Sequence, residues 1–373
     1  MHRDSHPLHV EIVPMQSVLS RVAWMTAALP MLVSAGVATA SSIDARYLRP
    51  VADVSVNARA LPSGASGAAL GKRLNPHRWN GITSLTLSSD GGTVATTGAD
   101  GSVRVWSPLT LQVRFTIPGS AAIPASDVAF VAGGIRLASV GRDSNVRLFD
   151  VANATQAVVL HGHEQPIRAI AASADGSLIA TGGEETRVML WDVATATLRR
   201  ILMGSTDFVN TVAFNPDRRL VAAAGPSGRI QVWDAASGAL LLTLLGHSGE
   251  INSLAFSPDG SLIASAGDDA RVLLWDVKLG QQVAALEGHQ APVRTIAFSR
   301  DGQTLASAGE DRRILIWNVA SRTLTTSLSG ATAFINSVAF SANGNQLFSA
   351  GEDNRITRWN VAAGIPELTA GAP

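Results

Sequence analysis

Apolar and polar positions follow one another through residues 246–276 in three short runs. Ile251 to Phe256 and Leu262 to Ala266 are apolar, small or β-branched, and between them Ser257-Pro258-Asp259-Gly260 supplies turn chemistry. Proline fixes φ and Asp-Gly tolerates left-handed geometry, so the two runs are predicted to form a hairpin. A second turn at Gly267-Asp268-Asp269-Ala270 leads into a third strand, Arg271 to Trp275, ended by an indole.

The pattern recurs along the chain. The closing aromatic stands at Trp106, Phe149, Trp191, Trp233, Trp275, Trp317 and Trp359, at intervals of 42 residues, with 43 between the first two. So constant a period marks a repeat architecture in which each copy is one supersecondary unit packed on the next. Turns such as Asp90-Gly91, Asp175-Gly176, Asp301-Gly302 and Asn343-Gly344 recur in phase, and a fourth apolar segment follows six of the aromatics, as in Ala239 to Leu245. The expected fold is therefore all-β: a seven-bladed β-propeller of four-stranded antiparallel blades.

The seventh copy stops at its third strand, near Trp359 and Asn360, so ring closure calls for a strand from one end of the chain. Leu70 to Leu74 precedes the first copy as a fourth segment precedes each of the others. Ile365 to Ala370 carries Pro366, which would remove a ladder donor. The N-terminal clasp is favoured on that ground, and trimming past Leu70 is expected to destabilise the ring.

Ahead of the repeats, Val22 to Val37 is an uncharged apolar run preceded by Arg21 and followed by Ala38-Thr39-Ala40. This reads as a cleavable secretory signal over residues 1–40, with Met15 as an alternative start. A membrane anchor over residues 22–40 is the alternative. Residues 41–67 read as a linker and residues 68–373 as the propeller. The expected location is exported, periplasmic or secreted. No later segment approaches the ~18 apolar residues of a span, so none is expected after cleavage.

Composition narrows the chemistry. Apolar residues make up 46% of the chain and charged residues 16%, which excludes a disordered protein. Lys+Arg and Asp+Glu are both 29, so no global field draws the chain to nucleic acid, and none is expected as a partner. There are no cysteines, which excludes thiolate metal sites and Cys nucleophiles. His161-Gly162-His163 lacks a third and fourth ligand, and Gly67 to Arg73 is one residue short of a phosphate loop and lacks Ser or Thr after Lys72. Ser, His and Asp combinations recur once per repeat, as structural devices do and an active site would not. No enzyme activity, metal or cofactor is expected.

Gly-His, then a strand and a half, then Asp six residues before Trp-Asp resembles the WD-repeat propeller family, over roughly residues 76–361. The resemblance implies a hydrogen-bonded tetrad inside a blade, matched fully by His247, Ser265, Asp269 and Trp275, and by His289, Ser307, Asp311 and Trp317. Blade 3 offers His163, Thr181, Glu185 and Trp191, with Glu in the Asp place. Blade 4 has Ser205, Ala223 and Ser227 at these positions, blade 2 has Ser120 and Phe149, and blade 7 has Ala331. Those blades are expected to lean on apolar packing, and blade 4 to be the least rigid.

The resemblance also implies partner contacts at the mouth of the central channel, beside the first apolar residue of each inner strand or just before the turn Asp. By phase these candidates are Phe208, Phe334, Arg142, Arg168, Arg294, Asn210, Asn252, Asn336, Glu184, Glu250, Asp268, Glu310 and Glu352. Aromatic and Arg anchors in a polar rim suit a protein-binding face. The alternative is that the two Phe plug the channel and the charges pair across blades. The functional expectation is a non-catalytic scaffold, monomeric and closed on itself, that binds a protein partner. The alternatives are an enzyme or small-ligand sensor using the channel, marked by convergent buried titratable groups, and a structural module of an envelope assembly.

Overall fold

The computed structural model describes residues 81–119, 123–205 and 207–371. The signal, the linker, the Leu70 to Leu74 segment and Ser120 lie outside the described residues.

Twenty-eight strands, β1 to β28 in chain order, fill the described residues. They form seven antiparallel sheets of four, each built from consecutive strands, so every hairpin predicted from a turn signal is a local connection. In blade 5, β17 (Ile251–Phe256), β18 (Leu262–Gly267), β19 (Arg271–Asp276) and β20 (Gln281–Glu287) succeed one another from the channel outward. Its first turn shows the local chemistry. Ser257 Oγ donates to Asp259 Oδ1 at 2.5 Å, the Ser261 N–H donates to the same oxygen at 3.1 Å, and Gly260 sits at φ +74°, where a side chain would be strained.

Seven apolar clusters fill the seven junctions between blades, each including the closing aromatic of the later blade. Trp275, for example, packs with Ile230, Val232 and Leu244 of blade 4. The ring closes in the same way: Trp106, Ile82 and Leu85 of blade 1 pack with Phe348, Ala350 and Ile356 of blade 7. Middle strands are buried on both faces and are correspondingly Ala-, Ile- and Val-rich, whereas the outer strands are exposed at most positions.

Closure corrects the expectation of an N-terminal clasp. The fourth strand of blade 7 is the C-terminal β28, Ile365–Gly371, paired with β27, Arg355–Asn360. Pro366 lies opposite Trp359, beside a bulge and on the outermost strand, where a missing N–H costs the sheet little. No strand from the other end is needed to complete the blade. Blades 7 and 1 are joined by side-chain packing and by hydrogen bonds such as Asn336 Nδ2 to Ile82 O, 2.9 Å, and Ser337 Oγ to Leu85 O, 3.1 Å.

Candidate interaction face at the channel mouth

Each inner strand opens with an irregularity that sets the channel mouth. In blade 5, Ile251 pairs with Gly267 and Ser253 with Ala266, so Asn252 is squeezed out of the ladder. The same one-residue step falls at Thr83, Ser126, Arg168, Arg294 and Asn336, and Asn210 holds the equivalent place just before β13 (Thr211–Phe214). A bulge re-aims a side chain, and these seven line one cavity of about 170 Å³ in the channel.

Most of these side chains reach to the next blade. Thr83 Oγ1 donates to Ala125 O at 2.8 Å, Asn210 Nδ2 to Ile251 O at 3.3 Å and Asn252 Nδ2 to Val293 O at 3.0 Å. One layer below, Ser84 Oγ donates to Asp127 Oδ1 at 2.6 Å and Thr211 Oγ1 accepts the Leu254 N–H at 3.1 Å. Two layers of hydrogen bonds therefore link most neighbouring blades around the channel. Ser126 Oγ is buried and has no hydrogen-bond partner.

Two clusters, 126 residues apart, dominate the rim. Arg168 donates through Nη2 to Glu184 Oε1 at 3.1 Å and through Nη1 to Asn210 Oδ1 at 2.8 Å, and its guanidinium lies 5.4 Å from the centre of the Phe208 ring. Arg294 repeats the arrangement with Glu310 at 2.8 Å, Asn336 at 2.5 Å and Phe334 at 5.0 Å, and adds Glu352 at 2.9 Å. Blade 4 has Pro226 where blade 7 has Glu352, which is why the first cluster holds one carboxylate and the second holds two. Both Phe are half-buried. Among the other candidates, Asn252 bonds Asp268 Oδ1 at 2.7 Å, Asn210 Nδ2 lies 3.5 Å from Glu250 Oε2, and Arg142 is exposed on blade 2. The phase thus brings the candidates of blades 3 to 7 into contacts with one another. What the phase did not single out is the i, i+42 bond from Arg to Asn, although its signal is present: two polar residues at the same phase in adjacent copies.

The backbone fixes the rim. The Glu184, Asp268, Glu310 and Glu352 N–H groups donate to Pro166, Glu250, Pro292 and Phe334 carbonyls. Pro226 of blade 4 has no N–H to give. The residue before each turn position is glycine in all seven copies, for a steric reason: a Cβ on Gly351 would lie 2.0 Å from Phe334 O, and one on Gly225 1.9 Å from Phe208 O.

Inside the blades, His247 Nε2 is 2.7 Å from Ser265 Oγ, which accepts Trp275 Nε1–H at 2.9 Å, and His247 Nδ1 is 2.9 Å from Asp269. His289, Ser307, Trp317 and Asp311 repeat this at 2.7, 2.8 and 2.8 Å. His163 meets Thr181 at 2.6 Å and Glu185, so the longer carboxylate completes the third tetrad. Burial pushes the His163 and His247 imidazoles below their ordinary range, against the pull of Glu185 and Asp269. For Asp269 burial acts upward but is outweighed by the Ser248 N–H, His247 and Arg271, which hold the carboxyl below the usual carboxylate range. Blade 4 replaces the tetrad by a backbone acceptor, Trp233 Nε1 to Met203 O at 2.8 Å, and in blade 7 Thr332 takes the histidine's role toward Asp353 at 2.5 Å. His161 is exposed and 2.7 Å from Asn145, and among the described residues no group of three His, Asp or Glu could hold a metal ion. Among them, too, no helix is long and apolar enough to cross a membrane.

The WD domain, G-beta repeat family matches six segments: residues 69–107, 154–192, 196–234, 238–276, 280–318 and 322–360. Each of the last five carries the outer strand of one blade and the first three of the next. The unmatched stretch contains Phe149 and most of blade 2, which nonetheless forms the same four-stranded sheet from β5 (Ala125–Val131), β6 (Arg136–Gly141), β7 (Val146–Asp150) and β8 (Gln156–Leu160). No curated protein matches the chain.

Proposed function

The chain belongs to the WD40 repeat family, whose fold is commonly a protein-interaction scaffold, and from that premise we propose that it is a non-catalytic scaffold binding a protein partner at the channel mouth. One observation carries the reading. Two half-buried phenylalanines, Phe208 and Phe334, each lie against a guanidinium inside a polar rim, just ahead of inner strands bonded to their neighbours. Aromatic and Arg groups at the centre of a polar rim are the usual energetic anchors of an interface, and rigidity lowers the entropy lost on binding.

The test is capture with the wild-type chain and with Phe208→Asp and Phe334→Asp. Loss of the partner with an unchanged melting temperature supports the reading, and undiminished recovery removes it. A second reading, a small polar ligand in the channel, draws on the cavity lined by Arg168, Arg294, Asp127 and the unpartnered Ser126 hydroxyl. It predicts that Ser126→Val abolishes ligand-induced stabilisation while leaving protein capture intact. We also propose export by the first 40 residues, tested by N-terminal sequencing of the protein recovered outside the cytoplasm: a start near Ser41 supports cleavage, and an intact apolar run supports the anchor.

A further inference from the structure

Blade 4 differs from its neighbours on the outside as well as within. Its outermost strand, β16, is Leu240–Leu245, with leucine at five of six positions and no charge. Other outer strands carry Arg114, Arg199 and Arg200, Glu287, or Pro366 and Glu367; of the two other uncharged ones, β24 (Thr323–Leu328) is Thr- and Ser-rich and β8 (Gln156–Leu160) half-buries its valines and buries its leucine. Charges and proline on an edge oppose pairing with another chain, and β16 has neither. Of the twelve large apolar residues exposed among the described residues, seven fall between Leu198 and Leu279. Leu245 is 65% exposed, Met203 61% and Leu241 52%. The strip is also rigid: Gln231 Nε2 donates to Gly204 O at 2.6 Å and Trp233 Nε1 to Met203 O, holding Met203 and Gly204 beside the blade.

We propose that the edge of β16 pairs antiparallel with the β16 edge of a second copy of this chain, in place of the monomer that a closed ring suggests. The strand is self-complementary about Thr243. A two-fold axis there sets Leu241 opposite Leu245, Leu242 opposite Leu244, and Thr243 opposite itself. The strand bulges at Leu241, between Leu240 opposite Trp233 and Leu242 opposite Val232, so the regular ladder runs over Leu242 to Leu244 and the two most exposed leucines of the strand, Leu241 and Leu245, meet at its ends. Such an interface is isologous and closes at two copies. The formal net charge of zero adds no long-range repulsion between copies. This surface is on the outer circumference, away from the channel-mouth residues, so it stands or falls independently of the partner-binding reading.

Sedimentation equilibrium of the full chain across the micromolar range tests the proposal. The expected result is a monomer–dimer equilibrium weakened roughly 10-fold or more by Leu245→Lys and by Leu241→Lys, each of which would face a leucine of the other copy. Leu109→Lys, on a residue 78% exposed in blade 1, should leave it unchanged. Amides of β16 should gain exchange protection as concentration rises. A wild-type chain monomeric throughout, a dimer indifferent to both β16 variants, or equal weakening by Leu109→Lys would overturn the proposal.

Discussion

Replacing Arg294 by Met should cost the ring more than the same change at Arg168, because the two clusters differ by one carboxylate. The Arg294 side chain is 6% exposed and serves Glu310 and Glu352, which are 18% and 14% exposed. Removing one partner of a fully buried ion pair costs about 3–5 kcal/mol, chiefly from the charge left behind. Here two carboxylates are left facing each other with limited access to water, and Asn336, whose amide holds Ile82 of blade 1, loses its donor. Allowing for partial solvation, Arg294→Met should lose about 2–4 kcal/mol. At Arg168 only Glu184 is stranded, and it is 21% exposed, so about 1–2 kcal/mol is expected. Adding Glu352→Gln to Arg294→Met should recover about 1 kcal/mol, since the repelling pair is gone. Urea unfolding followed by tryptophan fluorescence measures all three. Equal losses at the two arginines, or less than 1 kcal/mol at Arg294, would refute the reasoning.

Other outcomes follow from the same geometry. Ser265→Ala strands the Trp275 N–H and His247 Nε2 and should cost about 2–4 kcal/mol, whereas Ala223→Ser in blade 4 should gain nothing because Trp233 already donates to Met203 O; urea midpoints decide both. His163 and His247 have depressed pKa values in the fold, so the unfolded chain binds more protons. Stability should therefore be full above about pH 6.5 and fall as pH drops below it, by up to ~1.4 kcal/mol per histidine per pH unit, and His247→Gln should flatten the slope. The lowered carboxyls of Asp269 and Asp311 add stability that is present above about pH 4 and lost as pH falls through their folded values, giving a second acid-side decline in the same titration. Gly351→Ala drives a Cβ into the Phe334 carbonyl and should lower both melting temperature and partner capture; Gly344→Ala, with open space but φ +74°, should cost only about 1 kcal/mol and leave capture unchanged.

Much of this was legible in the chain because a repeat writes its phase many times. Seven aromatics at near-constant spacing announce seven blades, and the same phase carries the channel-mouth positions that the family resemblance implies from copy to copy, which puts Arg168, Asn210, Asn252, Arg294 and Asn336 on one rim. What stayed hidden depends on single positions or on the backbone. Pro366 counted against the C-terminal strand, because the pattern does not tell an outermost strand beside a bulge from an interior one. The carbonyl of Met203 that satisfies Trp233 belongs to no residue type, so blade 4 read as lacking a polar anchor it has. Thr332 stands one position beyond Ala331, where the histidine would stand, so the phase does not mark it. The pairing of the rim charges is geometric too: Glu352 joins Arg294 across a blade boundary, while Glu184 and Glu310 bond within their own blades.

The most direct test of the central claim places a photo-crosslinking side chain at one position at a time in the full chain: at Asn252 and Phe334 on the channel mouth, and at the exposed Leu109 of blade 1. The account predicts covalent adducts to the same protein partner from the two channel-mouth positions and none from Leu109. Adducts confined to Leu109, or none at the channel mouth while the partner is still captured, would contradict it.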